Sequence, residues 1–271
     1  MFRWLASLLA LLTGCAGSLT DQVHDTSARV IEASLDAEQR TLTEADLVEL
    51  PAPVQRYLHR CGAVGHPLPR NVRLQQTGRI HTEPGAKWME FHSQQYFAAE
   101  PTAFVWYARV DGSRVHVVDQ YVDGEGLLRV QLGSLLRLAN AEGPTADQGE
   151  GLRYLGELVV LPGALASPVV QWEAIDERSA RLTLAGTDYS GVLVFDEAGD
   201  PLRFEAERYH DEQSLVPWSG TVAGWKEVDG FRVPTELHAT WHHPEGDDEY
   251  VFIEVHSFEF DATEPFERDG A

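Results

Sequence analysis

From Val72 onward the apolar residues of this chain recur with a period of two, which restricts most of it to β structure. Val72, Leu74 and Ile80 alternate with Arg73, Gln75, Thr77, Arg79 and His81, the pattern of a strand with one wet face. Trp88–Phe97, Ala103–Val110, Arg114–Val122 and Leu127–Leu132 read as further strands. Between them lie the turn residues Glu83-Pro84-Gly85, Ala99-Glu100-Pro101, Asp111-Gly112-Ser113 and Asp123-Gly124. Strands resume at Val169–Ile175, Ala180–Leu184, Val192–Phe195, Leu202–Tyr209, Val216–Glu227, Phe231–Trp241 and Tyr250–Phe260. Short connections favour an antiparallel meander. A sheet of about a dozen strands limits its open edges by curling. The expected fold is therefore mainly β with a few helices: a strongly curved antiparallel sheet or half-open barrel with covering helices. Some strands are apolar on both faces, with Phe104 and Trp106 set against Val105 and Tyr107. One face of such a strand meets a core and the other a helix or a cavity.

Three segments break the period. In the first, Pro51 and Pro53 suit a helix's first turn, and Val54, Tyr57, Leu58 and Cys61 make one apolar stripe that Gly62 closes. Cys61 on that stripe is expected to be a buried, inert thiol. In the second, Thr145–Leu161 reads as a helix opened by Asp147 and weakened by Gly149, Gly151 and Gly156. Glycines spaced in this way point to close packing across the sheet. In the third, residues 19–50 are polar: Val30, Ile31 and Leu35 share a face from about Thr26, and Thr43 with Asp46 forms a capping pair. The expected organisation is a signal peptide over 1–14, a spacer with weak helices over 15–50, one β-rich domain over 51–261 and a tail over 262–271.

Met1-Phe2-Arg3 followed by the apolar run Trp4–Leu12 fits an export signal and is too short for a membrane-spanning helix. Leu12-Thr13-Gly14-Cys15 resembles the lipobox of bacterial lipoproteins. The resemblance implies cleavage before Cys15, lipidation of its thiol and a membrane tether in the cell envelope. Because Ala16 is not Asp, it implies the outer membrane in a cell that has one. Ala16-Gly17-Ser18 would be a flexible spacer. An uncleaved apolar N-terminus is the plainer alternative. With 43 acidic against 21 basic residues, the net charge of −22 excludes a nucleic-acid binder that works by releasing phosphate counterions. It also disfavours electrostatic adhesion to anionic lipid.

Several motifs carry a family resemblance. They are Leu50-Pro51-Ala52-Pro53-Val54-Gln55-Arg56-Tyr57-Leu58, Asp147-Gln148-Gly149-Glu150-Gly151-Leu152-Arg153-Tyr154-Leu155-Gly156-Glu157-Leu158, Pro217-Trp218-Ser219-Gly220, and Val233-Pro234-Thr235 before Trp241. Together, over about residues 50–260, they resemble an uncharacterised family of bacterial domains of unknown function. At the level of architecture, the strand number, interrupting helix and lipobox resemble the lipoprotein carriers of the bacterial envelope (LolA/LolB type). That fold implies an apolar cavity for acyl chains; likeness of fold does not by itself assign function.

Four constellations are candidates for a site. Glu150, Arg153, Tyr154 and Glu157 share one side of the second helix, where they would form a polar gate over a cavity with Arg153 meeting a carboxylate or head group. Intrahelical ion pairing accounts for the same spacing. His238 and His242 share a strand face beside Glu245, Asp247 and Asp248. No metal-site motif accompanies them, so neither a metal nor a cofactor is expected. Glu205 and Glu207, beside His210 and Asp211, are paired carboxylates of the kind used in acid–base chemistry when buried. Trp106, Trp172, Trp218, Trp225 and Trp241 would line an apolar ligand site or pack a core. No nucleophile-elbow, Walker or dinucleotide-binding motif is present, and no catalytic residue is assigned. The expectation is an envelope lipoprotein that binds a lipid or other apolar ligand, with Glu150, Arg153, Tyr154, Trp172 and Trp218 as ligand-binding candidates. The alternatives are a hydrolase using His238/His242 or Glu205/Glu207, and a structural or interaction protein of the envelope.

Overall fold

A computed structural model describes residues 18–133 and 136–267. The expected signal segment and Cys15 lie outside them. Three helices come first: α1 (Leu19–Asp36), α2 (Glu44–Leu47) and α3 (Ala52–Arg60). A six-strand meander follows: β1 (Asn71–Ile80), β2 (Met89–Ala98), β3 (Ala103–Val110), β4 (Val115–Val122), β5 (Glu125–Leu132) and β6 (Leu136–Glu142). Helix α4 (Pro144–Glu157) and two short 3₁₀ turns lead into β7 (Val170–Ala174), β8 (Ser179–Leu184), β9 (Ser190–Phe195), β10 (Pro201–Tyr209) and β11 (Leu215–Ala223). A small hairpin, β12 (Lys226–Val228) and β13 (Phe231–Val233), precedes β14 (Glu236–His243) and β15 (Gly246–Phe260).

Thirteen strands form one antiparallel sheet in the order β6-β5-β4-β3-β2-β1-β15-β14-β11-β10-β9-β8-β7. It is the expected half-open barrel. The first meander is one arm and the second is the other, joined in the middle where β1 pairs with β15 from Val72↔Phe260 to Ile80↔Val251. The outer strands β6 and β7 do not pair with each other, and the chain between them is α4, which lies on the concave side against β4, β5, β9 and β10.

Strand β3 resolves the question of the doubly apolar strands. Phe104 and Trp106 point into the concave core, and Val105 and Tyr107 lie under α1 in a separate outer core. Helix α1 begins at Leu19, before Thr26, with Ser18 as its cap: Asp21 N–H donates to Ser18 Oγ (3.1 Å) and Ser18 N–H to Asp21 Oδ2 (3.0 Å). Ser18 is thus part of a docked helix rather than of a spacer. The sequence under-reads this helix because its buried stripe includes Ser27 and Ser34. Ala262 and Phe266, in the expected tail, close the same outer core. Phe266 N–H donates to Tyr96 OH at 3.1 Å.

Helix α3 buries Val54, Tyr57, Leu58 and Cys61 as its periodicity predicts. Burial pushes the Cys61 thiol up to about 11, which makes it unreactive. Asp200, held between Arg60 (2.7 Å) and Arg232 (2.8 Å), ties the helix to the second arm. Three boundaries differ from expectation. β6 went unread because every residue on this edge strand is exposed, and burial imposes no period there. The segment 216–227 breaks at Gly224 (φ 65°), separating β11 from β12. The segment 231–241 breaks at Pro234-Thr235, where Thr235 N–H turns to Ala223 O (3.0 Å).

The glycines of α4 serve close approach. A Cβ at Gly151 would lie 2.6 Å from the Tyr189 ring, and one at Gly156 3.0 Å from Phe204. Asp147 does not cap its own helix; its carboxylate accepts the Gly126 N–H of β5 at 2.7 Å. At Gly126 an added Cβ would lie 2.3 Å from the Ala146 carbonyl oxygen. Gly126→Ala therefore overpacks a backbone contact that cannot yield cheaply, and it should lower stability by about 1–3 kcal/mol in urea unfolding.

Candidate functional site

Between α4 and the concave face lies a cavity of about 390 Å³, in the size range of small-molecule sites. The strand-facing wall is mostly apolar and includes Ile80, Val117, Leu128, Val222, Leu237 and Ile253. Trp106, Trp218 and Trp241 line it as well. His210, Asp211 and Glu212, on the exposed β10–β11 turn, stand at its edge.

The wall formed by α4 is charged. Arg153 pairs with Asp119 of β4 and, at 2.8 Å, with Glu157. Glu150 accepts from Arg208 of β10 at 2.9 Å. Each guanidinium also faces aromatic rings: Arg153 lies 4.9 Å from Phe104 and 5.1 Å from Trp106, and Arg208 lies 5.2 Å from Trp218. Behind Glu157, a polar chain runs into the sheet. Gln95 donates to Glu157 (2.6 Å), and Gln76 donates to Gln95 (2.9 Å). Trp106 Nε1 and Ser93 Oγ each donate to Gln76 at 2.9 Å. Helix α4 is thereby bound by ion pairs to both arms of the sheet.

Glu150 is 3% exposed, and burial, with the nearby Asp119 carboxyl next, holds it well above the ordinary glutamate range. Burial works against the charged form of Arg153 too, but Glu157 and Asp119 outweigh it and keep that guanidinium charged. Two oxygens in the cluster lack a hydrogen-bond partner, Glu150 Oε2 and Asp119 Oδ1. Asp119 is near enough for its carboxyl to contribute to the raised Glu150 carboxyl. A proton on Glu150 balances three carboxyls against two guanidiniums.

The sequence candidates separate cleanly. Glu150, Arg153 and Trp218 line the cavity. Tyr154 is fully buried behind it, stacked on Phe97 at 4.8 Å, with its hydroxyl donating to Ala98 O at 3.1 Å. Trp172 lies on β7 away from the cavity, its Nε1 donating to Leu165 O at 2.9 Å. Asp119 and Arg208 were missed. Their signal was a charge at an inward position of a period-two strand: Asp119 follows Val117 and precedes Tyr121, and Arg208 continues Phe204 and Ala206.

Glu205 and Glu207 take the other parity of β10, with Glu205 paired to Arg203 at 2.6 Å. His238 is among the residues that line the cavity and meets Glu249 at 3.2 Å. His242 links Ser219 Oγ (2.9 Å) to Asp247 (2.7 Å) in the order of a serine-hydrolase triad. Ser219 is, however, buried beneath this chain, in a strand paired on both sides, so its backbone N–H belongs to the ladder. An acyl-transfer site needs such N–H groups aimed at an oxyanion. Its neighbour Trp218 lines the cavity, so Ser219 points to the opposite face. The contacts are those of a cross-strand polar ladder. Among the described residues no group of three or more His, Cys, Asp and Glu is arranged to hold a metal ion.

A half-open barrel closed by a helix, with a cavity beneath that helix, defines the class of the molecule. The chain belongs to a family of unknown function, DUF6544, whose model matches residues 40–253. No curated protein matches it. Among solved structures it is similar to a domain provisionally described as an outer membrane lipoprotein-sorting protein, from Vibrio parahaemolyticus (13% identity, TM-score 0.40, 70% of this chain and 85% of that one). It is also similar to a DUF1329 family protein from Desulfovibrio piger (13%, 0.42, 78% and 93%). A LolA superfamily protein from Nitrosomonas europaea is similar as well (12%, 0.39, 78% and 93%).

The raised Glu150 carboxyl sets the sign of a pH effect. In the unfolded chain Glu150 ionises near 4.5, whereas in the folded chain it keeps its proton to higher pH. Between those two values the native state binds more protons, so stability falls as pH rises. The loss approaches about 1.4 kcal/mol per pH unit for this one group. Urea unfolding from about pH 5 upward should show the decline, and Glu150→Gln should flatten it.

Proposed function

We propose that this protein is an exported binding protein that shelters the apolar part of a lipid or similar amphiphile between α4 and the concave face of its sheet. The single observation that carries the reading is the cavity of about 390 Å³ with apolar strand walls, present in a sheet large enough to have packed shut. Such walls hold a hydrocarbon by removing it from water, at about 25 cal/mol per Å². The charged wall on α4 then orients the ligand's polar end. The N-terminal run and Leu12-Thr13-Gly14-Cys15 support export and a lipid tether on Cys15. Among the described residues no helix is long and apolar enough to cross a membrane.

Native mass spectrometry after mild extraction should reveal a co-purifying lipid or amphiphile. Ala239 lines the cavity, and Ala239→Trp should fill it and remove that species while the fold is kept. Recovery of the same ligand load from the variant would sink the proposal. For the tether, Cys15→Ser should move the protein from the membrane fraction to the soluble fraction. An unchanged distribution would overturn that part alone.

A further inference from the structure

We infer that the cavity favours an amphiphile whose polar end is a hydrogen-bond donor, above all a primary ammonium, and disfavours one that ends in a carboxylate. This rests on the reading of the cavity as a shelter for an apolar chain. The first observation is that the cations at the cavity wall are already engaged. Arg153 is held by Asp119 and Glu157, and Arg208 by Glu150 (2.9 Å) and Tyr250 (3.4 Å). Aromatic rings cover a face of each guanidinium. An incoming anion would have to break one of these pairs and strand a carboxylate inside the protein, which is strongly unfavourable.

The atoms without partners are acceptors. Glu150 Oε2 and Asp119 Oδ1 belong to two residues that line the cavity, and Glu150 is 3% exposed. The groups facing Glu150 are Asp119 from β4, Arg208 from β10, Tyr250 from β15 and Arg153 on its own helix. With every carboxyl ionised, Asp119, Glu150 and Glu157 exceed Arg153 and Arg208 by one negative charge. A donor of one positive charge completes the set. Asp211 and Glu212 at the cavity's edge, on a chain of net charge −22, attract cations and repel anions on approach.

The exchange balances. The O–H bond of the Glu150 carboxylic acid breaks, its proton leaves to solvent, and the ammonium N–H groups donate to the freed Glu150 and Asp119 oxygens. The charge of the site is the same before and after. An ammonium bound while Glu150 carries its proton therefore releases that proton, whereas a hydroxyl end displaces none.

Dodecylammonium, dodecanol and dodecanoate share one chain length and differ only at the polar end. Their binding as monomers to the full protein can be followed by Trp emission. Calorimetry in two buffers of different ionisation enthalpy then counts protons. Dodecylammonium should bind at least ~10-fold more tightly than dodecanoate, with release of protons at a pH where the empty protein keeps Glu150 protonated. Dodecanol should bind without proton release. Glu150→Gln should lose both the ammonium preference and the proton release, with an unchanged circular-dichroism spectrum and urea midpoint at about pH 7 reporting an intact fold. Asp119→Asn should weaken the preference in the same direction. Dodecanoate binding as tightly as the ammonium, or ammonium binding without proton release, overturns the head-group inference and leaves the shelter reading standing. Failure of all three probes to bind overturns both.

Discussion

The two arms of the sheet meet at β1 and β15, and their far edges are spanned by α4. Ion pairs join that helix to each arm: Arg153 to Asp119 of β4, and Glu150 to Arg208 of β10. A curved sheet with unpaired edges has no hydrogen bonds of its own to hold its arms at one separation. Here α4 sets it. Gly151 and Gly156 let the helix axis come close to Tyr189 and Phe204.

This arrangement puts five ionisable groups in a wall with little water. Taking charges out of water is expensive, and partnership repays it only when every group is satisfied. The guanidiniums meet that condition through carboxylates on their edges and aromatic rings on their faces. The carboxyls meet it once Glu150 carries a proton. The raised Glu150 carboxyl and the two unpartnered oxygens both follow from setting three carboxyls beside two guanidiniums.

How much of this was legible in the chain depended on whether burial left a period behind. The α3 stripe of Val54, Tyr57, Leu58 and Cys61 was legible because each of those side chains is buried on one face. The glycines of α4 were legible as a mark of close approach, since only a near surface explains three of them in one helix. Helix α1 was blurred by Ser27 and Ser34 in its buried stripe, and β6 left no mark because it buries nothing. In the site, Glu150 and Arg153 stood out by their shared helical face. Tyr154 shares their segment but points into the core, a turn of the helix that spacing alone does not decide.

By itself the sequence determined the β character, the curvature, the covering helix and one half of the charged wall, because these follow from local periodicity and from the limits on open edges. Only the tertiary structure decided that Asp119 and Arg208 complete that wall. Those residues lie far from α4 along the chain, and each reads locally as one charge in a strand. Ion pairing depends on distance in space, which the order of strands around the half-barrel sets and the order of residues does not.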